Sequence, residues 1–464
     1  MSFLLSALQD TLGPKGVLTD PSDVAAHVVD WRKLFKGTPC AVVRPSTVEE
    51  VAKTVALCNA HHAPLVPQGG NTGLAGGAVP DASGRAVVLS LARMNRLRSV
   101  DPVGMTLEAE AGVVLKTAQE AAQMVNRLLP ISLAAEGSAT IGGVIATNAG
   151  GINVLRYGMT RAMVLGLEVV LPDGRIVNGL RRLRKDNAGY DWKQLFIGSE
   201  GTLGIVTAAV LRLLPRPTQS VTALVGVRDP QAALDFLVAT QNECGDTISA
   251  FELISGFSMQ LVARHFGLAC PVGESNWYVL IEASANLNGL REAFENALSQ
   301  GFEKGFVQDG VIAASGRQAE QMWQLRERIT EAEAHEGKSV KHDVSVPIPL
   351  VPDFLVVAGE QLAKKAAGVR INCFGHLGDG NLHYNIMIAD HDPATINTIV
   401  HDMVVKMGGS ISAEHGIGQY RVDELALRKS AEEMALCHTL KAALDPHDLM
   451  NPGKVLRARQ TPQG

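Results

Sequence analysis

Histidine recurs at a metal-binding spacing in Gly375-His376-Leu377-Gly378-Asp379-Gly380-Asn381-Leu382-His383-Tyr384-Asn385. A second run, Ala413-Glu414-His415-Gly416-Ile417-Gly418, sets a carboxylate beside a further imidazole. Asp-Gly between apolar runs predicts a tight hairpin, because both central residues of a type I′ turn take positive φ. With Asp379-Gly380 as a two-residue turn, His376 faces His383 across the hairpin, and Asn385 shares that face two residues on. Opposed residues hold their Cβ atoms roughly 4.5–5.5 Å apart, near enough for two imidazoles to share one ion. Glu414 is the natural third ligand, giving two imidazoles, one carboxylate and an open position, a set suited to a zinc-like catalytic ion. His415 is left as a base. Glycines after the Glu-His pair suit close backbone approach to a ligand. The competing reading is two hydrogen-bonding histidines in a glycine-rich loop, with Glu414 as a surface carboxylate; the Glu-His-Gly-x-Gly run favours the metal.

A chain of 464 residues is too long for one ordinary core, and two or three domains are expected. Hydrophobic content of 46% with 19% charged residues describes a globular chain, not a disordered one. A formal net charge of −5 gives no reason to expect nucleic-acid binding, so an anionic substrate needs local positive charge. Cys40, Cys58, Cys244, Cys270, Cys373 and Cys437 are scattered without a C-x-x-C, which argues against an iron–sulfur cluster, a cysteine zinc site and a disulfide framework. Leu4, Leu5, Leu8 and Leu12 lie at helical spacing with no basic segment before them, which reads as a surface helix rather than a signal peptide. The apolar stretch 163–171 is short and carries Glu168, so no membrane span is expected and the cytoplasm is the expected compartment.

The elements that must position these residues are legible in outline. Ser46-Thr47-Val48-Glu49 reads as a capping box opening a helix through Cys58, with Val48, Val51, Ala52 and Val55 facing inward. Short strands at 41–43 and 64–66 flank it. Gln68-Gly69-Gly70-Asn71-Thr72-Gly73-Leu74-Ala75-Gly76-Gly77 follows, a run whose backbone N–H groups can converge on an anion. A second glycine-rich region carries Glu136, Gly137, Ser138, Thr140, Gly142, Gly143, Thr147, Asn148, Gly150 and Gly151. A third, Gly198-Ser199-Glu200-Gly201-Thr202-Leu203-Gly204, leads into a strand through Ile205 and Val206. Pro215 and Pro217 mark a boundary. Beyond it, strands near 221–227, 277–282, 369–374 and 382–388 alternate with helices near 230–243, 288–300, 316–336 and 351–366. The expected architecture is α+β: a helical segment 1–34, a ligand-binding domain 35–215, and a domain 216–407 with an antiparallel sheet covered by helices on one face. A C-terminal helical segment, 408–464, completes the active site and packs back on the first domain.

None of the glycine clusters is a dinucleotide fingerprint or a P-loop. Together they suggest a backbone-lined cleft for an extended, pyrophosphate-bearing ligand. Pro67-Gln68-Gly69-Gly70-Asn71-Thr72-Gly73-Leu74-Ala75-Gly76-Gly77 resembles the pyrophosphate loop of the FAD-linked oxidases of the vanillyl-alcohol-oxidase type, which carry a PCMH-type FAD domain. Ala146-Thr147-Asn148-Ala149-Gly150-Gly151, Lys185-Asp186-Asn187-x-Gly189-Tyr190-Asp191 and 198–204 resemble that family's other FAD contacts. The resemblance runs from about residue 35 to Asn451-Pro452-Gly453-Lys454, in the family's order, and implies cofactor contacts at Pro67, Gln68, Gly69, Gly70, Asn71, Thr72, Gly73, Gly76 and Gly77, at the ten residues named in the second cluster, and at Gly201, Ile205, Val206 and Asn451. Members with covalent FAD use a histidine in or near the first loop; Asn71 stands there here, which implies non-covalent FAD.

Within that family the chain is most similar to the branch of D-2-hydroxyglutarate dehydrogenases, D-lactate dehydrogenases and glycolate oxidase FAD subunits. That branch shares the Gly-His-x-Gly-Asp-Gly-Asn-x-His and Glu-His-Gly-x-Gly patterns. Trp323-Gln324-Leu325-Arg326-Glu327-Arg328-Ile329-Thr330-Glu331 with Lys341-His342-Asp343 most resembles the first of these. The resemblance implies that Arg326, Thr330 and Lys341 bind substrate carboxylates. Periodicity independently turns Arg326 inward, on a stripe with Met322, Trp323, Ile329 and Thr330. An inward guanidinium needs an anion, either a substrate or a structural Asp or Glu. The reading that follows is an FAD- and divalent-metal-dependent dehydrogenase of a D-2-hydroxy acid, D-2-hydroxyglutarate first, with Zn2+ or a similar ion on His376, His383 and Glu414. His415 acts as base and Asn385 orients the substrate. D-lactate dehydrogenase or a glycolate oxidase subunit is the near alternative; a zinc hydrolase, or a silent FAD-binding subunit, is the alternative of another class. With no cysteine cluster and no nicotinamide motif, electrons must leave to an external acceptor such as an electron-transfer flavoprotein or a quinone-linked partner. Oligomeric state is not legible, and a homodimer is compatible with the sequence.

Overall fold

In the computed structural model, which describes residues 2–388 and 392–458, the chain divides into two units. The first gathers Met1–Gly151, Gly158–Arg216 and Glu414–Gly464. Leu4, Leu8 and Leu12 form the buried stripe of the helix Ser2–Leu12 and share a core with Val43, Val51, Val55, Leu65 and, from the far end of the chain, Met450. The helix Val48–Ala60 is capped one residue later than expected. Thr47 Oγ1 accepts the Glu50 N–H at 3.2 Å, and the Glu50 carboxylate reaches back to the Ser46 N–H at 2.6 Å. That phase buries Val51, Thr54, Val55 and Cys58, and leaves Val48 and Ala52 half-buried.

Two larger sheets organise this unit, beside a short pairing of Leu214–Pro215 with Arg127–Leu128. One runs Val17–Leu18, Ala41–Val43, Val87–Ser90, Leu65–Gln68, the last three strands parallel. The other is antiparallel in the order Leu97–Asp101, Thr106–Glu110, Ile205–Arg212, Val164–Val170, Ile176–Gly179. The first glycine-rich run leaves the end of Leu65–Gln68, and Ile205 and Val206 are buried in the second sheet.

The second unit comprises Ile152–Tyr157 and Pro217–Ala413. Its antiparallel sheet runs Val307–Ile312, Gln219–Val227, Trp277–Ala285, Ile248–Ser255, Arg370–His376, Asn381–Met387, Ser339–Val340, and Asp343–Ser345 also pairs with Asn381–Met387. The α+β class holds, but helices cover both faces rather than the expected one. Ala223, Val225, Phe251, Leu253 and Ile281 pack against Pro230–Cys244, Leu290–Glu303 and Val351–Lys365. Leu224, Ile254, Leu280 and Phe374 pack against Gly256–Phe266, Gly316–Glu327 and Ile329–Glu336. Strands that are apolar at successive positions cannot leave a face in water, so each side needs a cover. The helix expected over 316–336 is two helices, divided at Arg328.

Candidate active site

The 370–387 hairpin carries both histidines, in a register different from the expected one. His376 faces Asn381, and His383 faces Phe374. Only Gly380 of the Asp-Gly pair takes positive φ, at +79°, so a type I′ turn is excluded. The His376 carbonyl instead accepts the N–H groups of Asp379 at 3.2 Å and Gly380 at 3.1 Å, and the connection is a longer, helical-type turn over 377–380. The shift is two residues, which preserves the face of every side chain. His376 and His383 are therefore diagonal neighbours on one face, with ring centroids 6.1 Å apart and a nitrogen of each within 4.8 Å of the other. Asp343 lies directly opposite His383, with a carboxylate oxygen within the same reach of its ring.

Glu252, absent from the expected set, completes this row. It stands opposite His376 on the neighbouring strand, fully buried. One carboxylate oxygen meets His376 Nδ1, and the other accepts from Arg326 Nε at 2.7 Å. Burial would raise its pKa, but the His376 imidazole and the Arg326 guanidinium outweigh that and hold it at about 2. Glu252 is the structural anion foreseen for an inward arginine, yet it uses only Nε. Arg326 lies over the Phe374 ring, 4.7 Å from its centroid, and its Nη groups donate to no acceptor among the described residues. A lone carboxylate in the apolar run 248–255 was the available signal, since a buried charge needs a partner.

The other expected substrate residues fare differently. Asn385 faces Asn372 across the hairpin, and both donate to the buried Glu333 carboxylate, at 2.8 Å and 2.5 Å. The Asn385 side-chain oxygen accepts the His342 N–H at 3.2 Å. Lys341 is partly exposed, with Nζ 3.5 Å from the same Glu333. Thr330 is exposed and departs from the predicted inward stripe, because the helix breaks at Arg328 and Ile329 takes the buried position.

Glu414 and His415 open the last stretch of the first unit, directly after Ala413, whose N–H bonds the Asp343 carbonyl at 3.1 Å. The glycines behind them serve close approach to protein. The Glu200 carboxylate accepts the N–H groups of Ile417 and Gly418 at 2.8 Å each, and a Cβ on Gly418 would sit 2.0 Å from the Ala75 carbonyl oxygen. Burial pushes the Glu200 pKa up, against the lowering effect of those two N–H groups.

In the first unit the three glycine-rich segments have the chemistry of an anion cradle. The N–H groups of residues 70–74 donate to no acceptor among the described residues. A Cβ on Gly69 would meet Thr140 Oγ1 at 2.4 Å and one on Gly70 the Ser138 carbonyl oxygen at 2.0 Å, so at Gly70 the segments touch backbone to backbone. Thr140 Oγ1 is buried without a partner among the described residues, as is the Asn451 side-chain oxygen. A flavin dinucleotide's pyrophosphate and hydroxyls fit such a donor-rich, side-chain-free surface. Several side chains expected to face it are occupied instead. The Gln68 amide donates to the His27 and Ala78 carbonyls, Asn71 donates to the Val29 carbonyl at 2.9 Å, and Glu136 pairs with Lys116 at 2.9 Å. Thr147 Oγ1 bonds the Gly143 carbonyl, and the Asn148 side-chain oxygen accepts the Arg161 N–H.

Residues 216–455 match the family described as FAD linked oxidases, C-terminal domain, and residues 39–179 match an FAD binding domain. The chain is 40% identical over 456 residues to the mitochondrial D-2-hydroxyglutarate dehydrogenase of Bos taurus, covering 97% of this chain and 83% of that one. It is 39% identical over 465 residues to the D-2-hydroxyglutarate dehydrogenase of Xanthomonas citri pv. viticola, covering 98% and 97%. Among solved structures, p-cresol methylhydroxylase with substrate bound superposes with a TM-score of 0.77 over 98% of this chain and 97% of that one, at 19% identity, a likeness of fold.

Proposed function

The chain belongs to the FAD-linked oxidases, and we propose that it oxidises D-2-hydroxyglutarate to the 2-oxo acid, with a divalent metal, Zn2+ or a similar ion, on His376, His383 and Glu414. The observation that carries the reading is the paired imidazoles His376 and His383 beside Arg326, whose Nη groups are uncommitted. The donor set, two imidazole nitrogens and a carboxylate, fits such an ion. When bound, FAD supplies the two-electron acceptor for the α-hydrogen, and the metal supplies a Lewis acid for the α-hydroxyl.

The chain's own residues do the rest. His415 takes the hydroxyl proton, a role suited to an imidazole, whose unperturbed pKa is about 6.5. Arg326 offers its two Nη groups as a fork to one substrate carboxylate. Lys341 neutralises the other, and the Thr330 hydroxyl assists from the turn after Arg326. Asn385 spends one amide hydrogen on Glu333 and orients the substrate with its second. Residues 70–74, with Thr140 and Asn451, hold the FAD without a covalent bond. Electrons leave to an external flavoprotein or quinone-linked acceptor. The cytoplasm is the proposed compartment, in keeping with cysteines that are all unpaired. No helix among the described residues is long and apolar enough to cross a membrane.

The test is anaerobic flavin bleaching across D- and L-2-hydroxy acids. Bleaching by D-2-hydroxyglutarate in preference to its L-isomer and to D-lactate is expected. A protein that purifies without a flavin spectrum, or whose flavin is untouched by every hydroxy acid, overturns the reading.

A further inference from the structure

The metal ligands and the substrate cations stand out as sequence motifs; Glu252 does not, yet it touches one of each. Both its oxygens are committed, one to His376 Nδ1 and one to Arg326 Nε at 2.7 Å, and no part of it reaches solvent. An ionised carboxylate only accepts hydrogen bonds, so the nitrogen facing it must carry the proton. His376 is thereby held in one tautomer, with Nδ1 protonated and Nε2 as the nitrogen that would ligate. Imidazole ligands commonly donate their second N–H to a carboxylate in this way, which fixes the ring and strengthens the ligating nitrogen. The same carboxylate takes Arg326 by Nε, which fixes the plane of the guanidinium and leaves its Nη fork free.

We propose that Glu252 is the positioning residue of this site: it rests on the metal reading above, and it sets the ligating tautomer of His376 and the substrate-facing orientation of Arg326 with a single carboxylate. The backbone supports this double role. Glu252 and His376 are direct cross-strand partners, and Phe374, two residues before His376 on the same face, is the ring over which Arg326 lies. The carboxylate, the imidazole, the aromatic ring and the guanidinium thus form one packed group, and a turn of the carboxylate disturbs both partners. Metal affinity and substrate affinity therefore depend together on a residue that touches neither ligand.

Glu252→Gln tests this with little change of shape. A glutamine amide has one oxygen, so it faces either His376 Nδ1 or Arg326 Nε with an N–H group. Zinc affinity of the flavin-loaded protein, measured by chelator competition, should fall about 10- to 100-fold, and the KM for D-2-hydroxyglutarate should rise with it. Unchanged zinc affinity in Glu252→Gln, with wild type binding zinc, overturns the proposal. Wild type that binds no zinc overturns the metal reading instead, and the tautomer then decides the positioning role. Long-range 1H–15N correlation of the metal-free wild type should show His376 protonated on Nδ1; a proton on Nε2 overturns the proposal whether or not the variant folds.

Discussion

The Glu200 carboxylate holds the backbone N–H of Gly418 at 2.8 Å and, through its other oxygen, that of Ile417 at the same distance. The loop that leads into the strand Ile205–Arg212 is thereby tied to the segment immediately following Glu414 and His415. Gln419 and Tyr420 add N–H bonds to the Ala75 carbonyl, so the tail is fastened to two of the three glycine-rich runs. Glu200→Ala leaves two donors unpaired, each costing about 1–3 kcal/mol if it stays buried. Flavin should remain bound, because the 70–74 amides are untouched, while kcat falls at least tenfold as the Glu-His pair loses its anchor. Equal kcat in variant and wild type would show that the tail is positioned by other contacts.

Gly70 is the sharpest test of the cradle. An added Cβ would lie 2.0 Å from the Ser138 carbonyl oxygen, a backbone atom that cannot turn away. Overpacking of this kind costs about 1–3 kcal/mol, which corresponds to roughly ten- to hundredfold weaker FAD if the strain falls on the bound conformation. Gly70→Ala should fold, purify with little flavin colour and regain absorbance with excess FAD. A variant that retains stoichiometric flavin through gel filtration would place the pyrophosphate elsewhere.

How far the site could be read in advance follows from periodicity. An error of two residues in the hairpin register left His376 and His383 on one face, because the strand period is two. The inward turn of Arg326 was legible from its helix stripe, whereas Thr330 was not, since the break at Arg328 resets the helical phase. Glu252 went unseen because the strand Ile248–Ser255 is buried along its whole length and shows no alternation to mark one face. The cover on the second face of the sheet was missed for the same reason: the helix Gly256–Phe266 follows that strand without a turn signal.

Acid should loosen the second unit at one identifiable place. Glu336 accepts from Arg370 at 2.6 Å, His265 at 2.9 Å and Arg264 at 2.8 Å, and these partners hold its pKa at about 2. A carboxylate depressed on folding contributes stability that is complete above its unfolded pKa, about 4.3, and is lost as pH falls toward the folded value. The difference in urea midpoint between wild type and Glu336→Gln should be constant from pH 6 to pH 5 and shrink steadily between pH 4 and pH 2. A difference that grows on acidification would reverse the assigned sign.

Metal ligand and base separate by readout. His383→Ala removes one imidazole of the pair and should abolish both zinc retention and turnover with the flavin spectrum intact, because the cradle lies in the other unit. His415→Asn should retain zinc and bind substrate near normally, yet reduce its flavin about 10²–10⁴-fold more slowly. Zinc lost from His415→Asn would exchange the roles of Glu414 and His415. Full activity in exhaustively chelated protein would remove the metal from the mechanism altogether.

The proposed substrate choice makes Lys341 the residue to test. D-2-hydroxyglutarate carries a second carboxylate that D-lactate lacks, and a site built for it needs a cation beyond Arg326. Lys341 suits that role because its Nζ lies 3.5 Å from Glu333, a loose pairing that a substrate carboxylate can share, and it keeps partial access to solvent. Glu333 is also held by Asn372, Asn385 and Ser339, so Lys341→Met should fold normally. Loss of one member of a desolvated charge pair commonly costs several kcal/mol, so kcat/KM for D-2-hydroxyglutarate should fall roughly a hundredfold or more. If Lys341 meets the distal carboxylate, the small rate with D-lactate should hardly change. If both substrates fall together, Lys341 binds the carboxylate they share, and the distal one belongs to Arg326. Should the wild type reduce its flavin faster with D-lactate, the assignment to hydroxyglutarate fails while oxidation of a D-2-hydroxy acid stands.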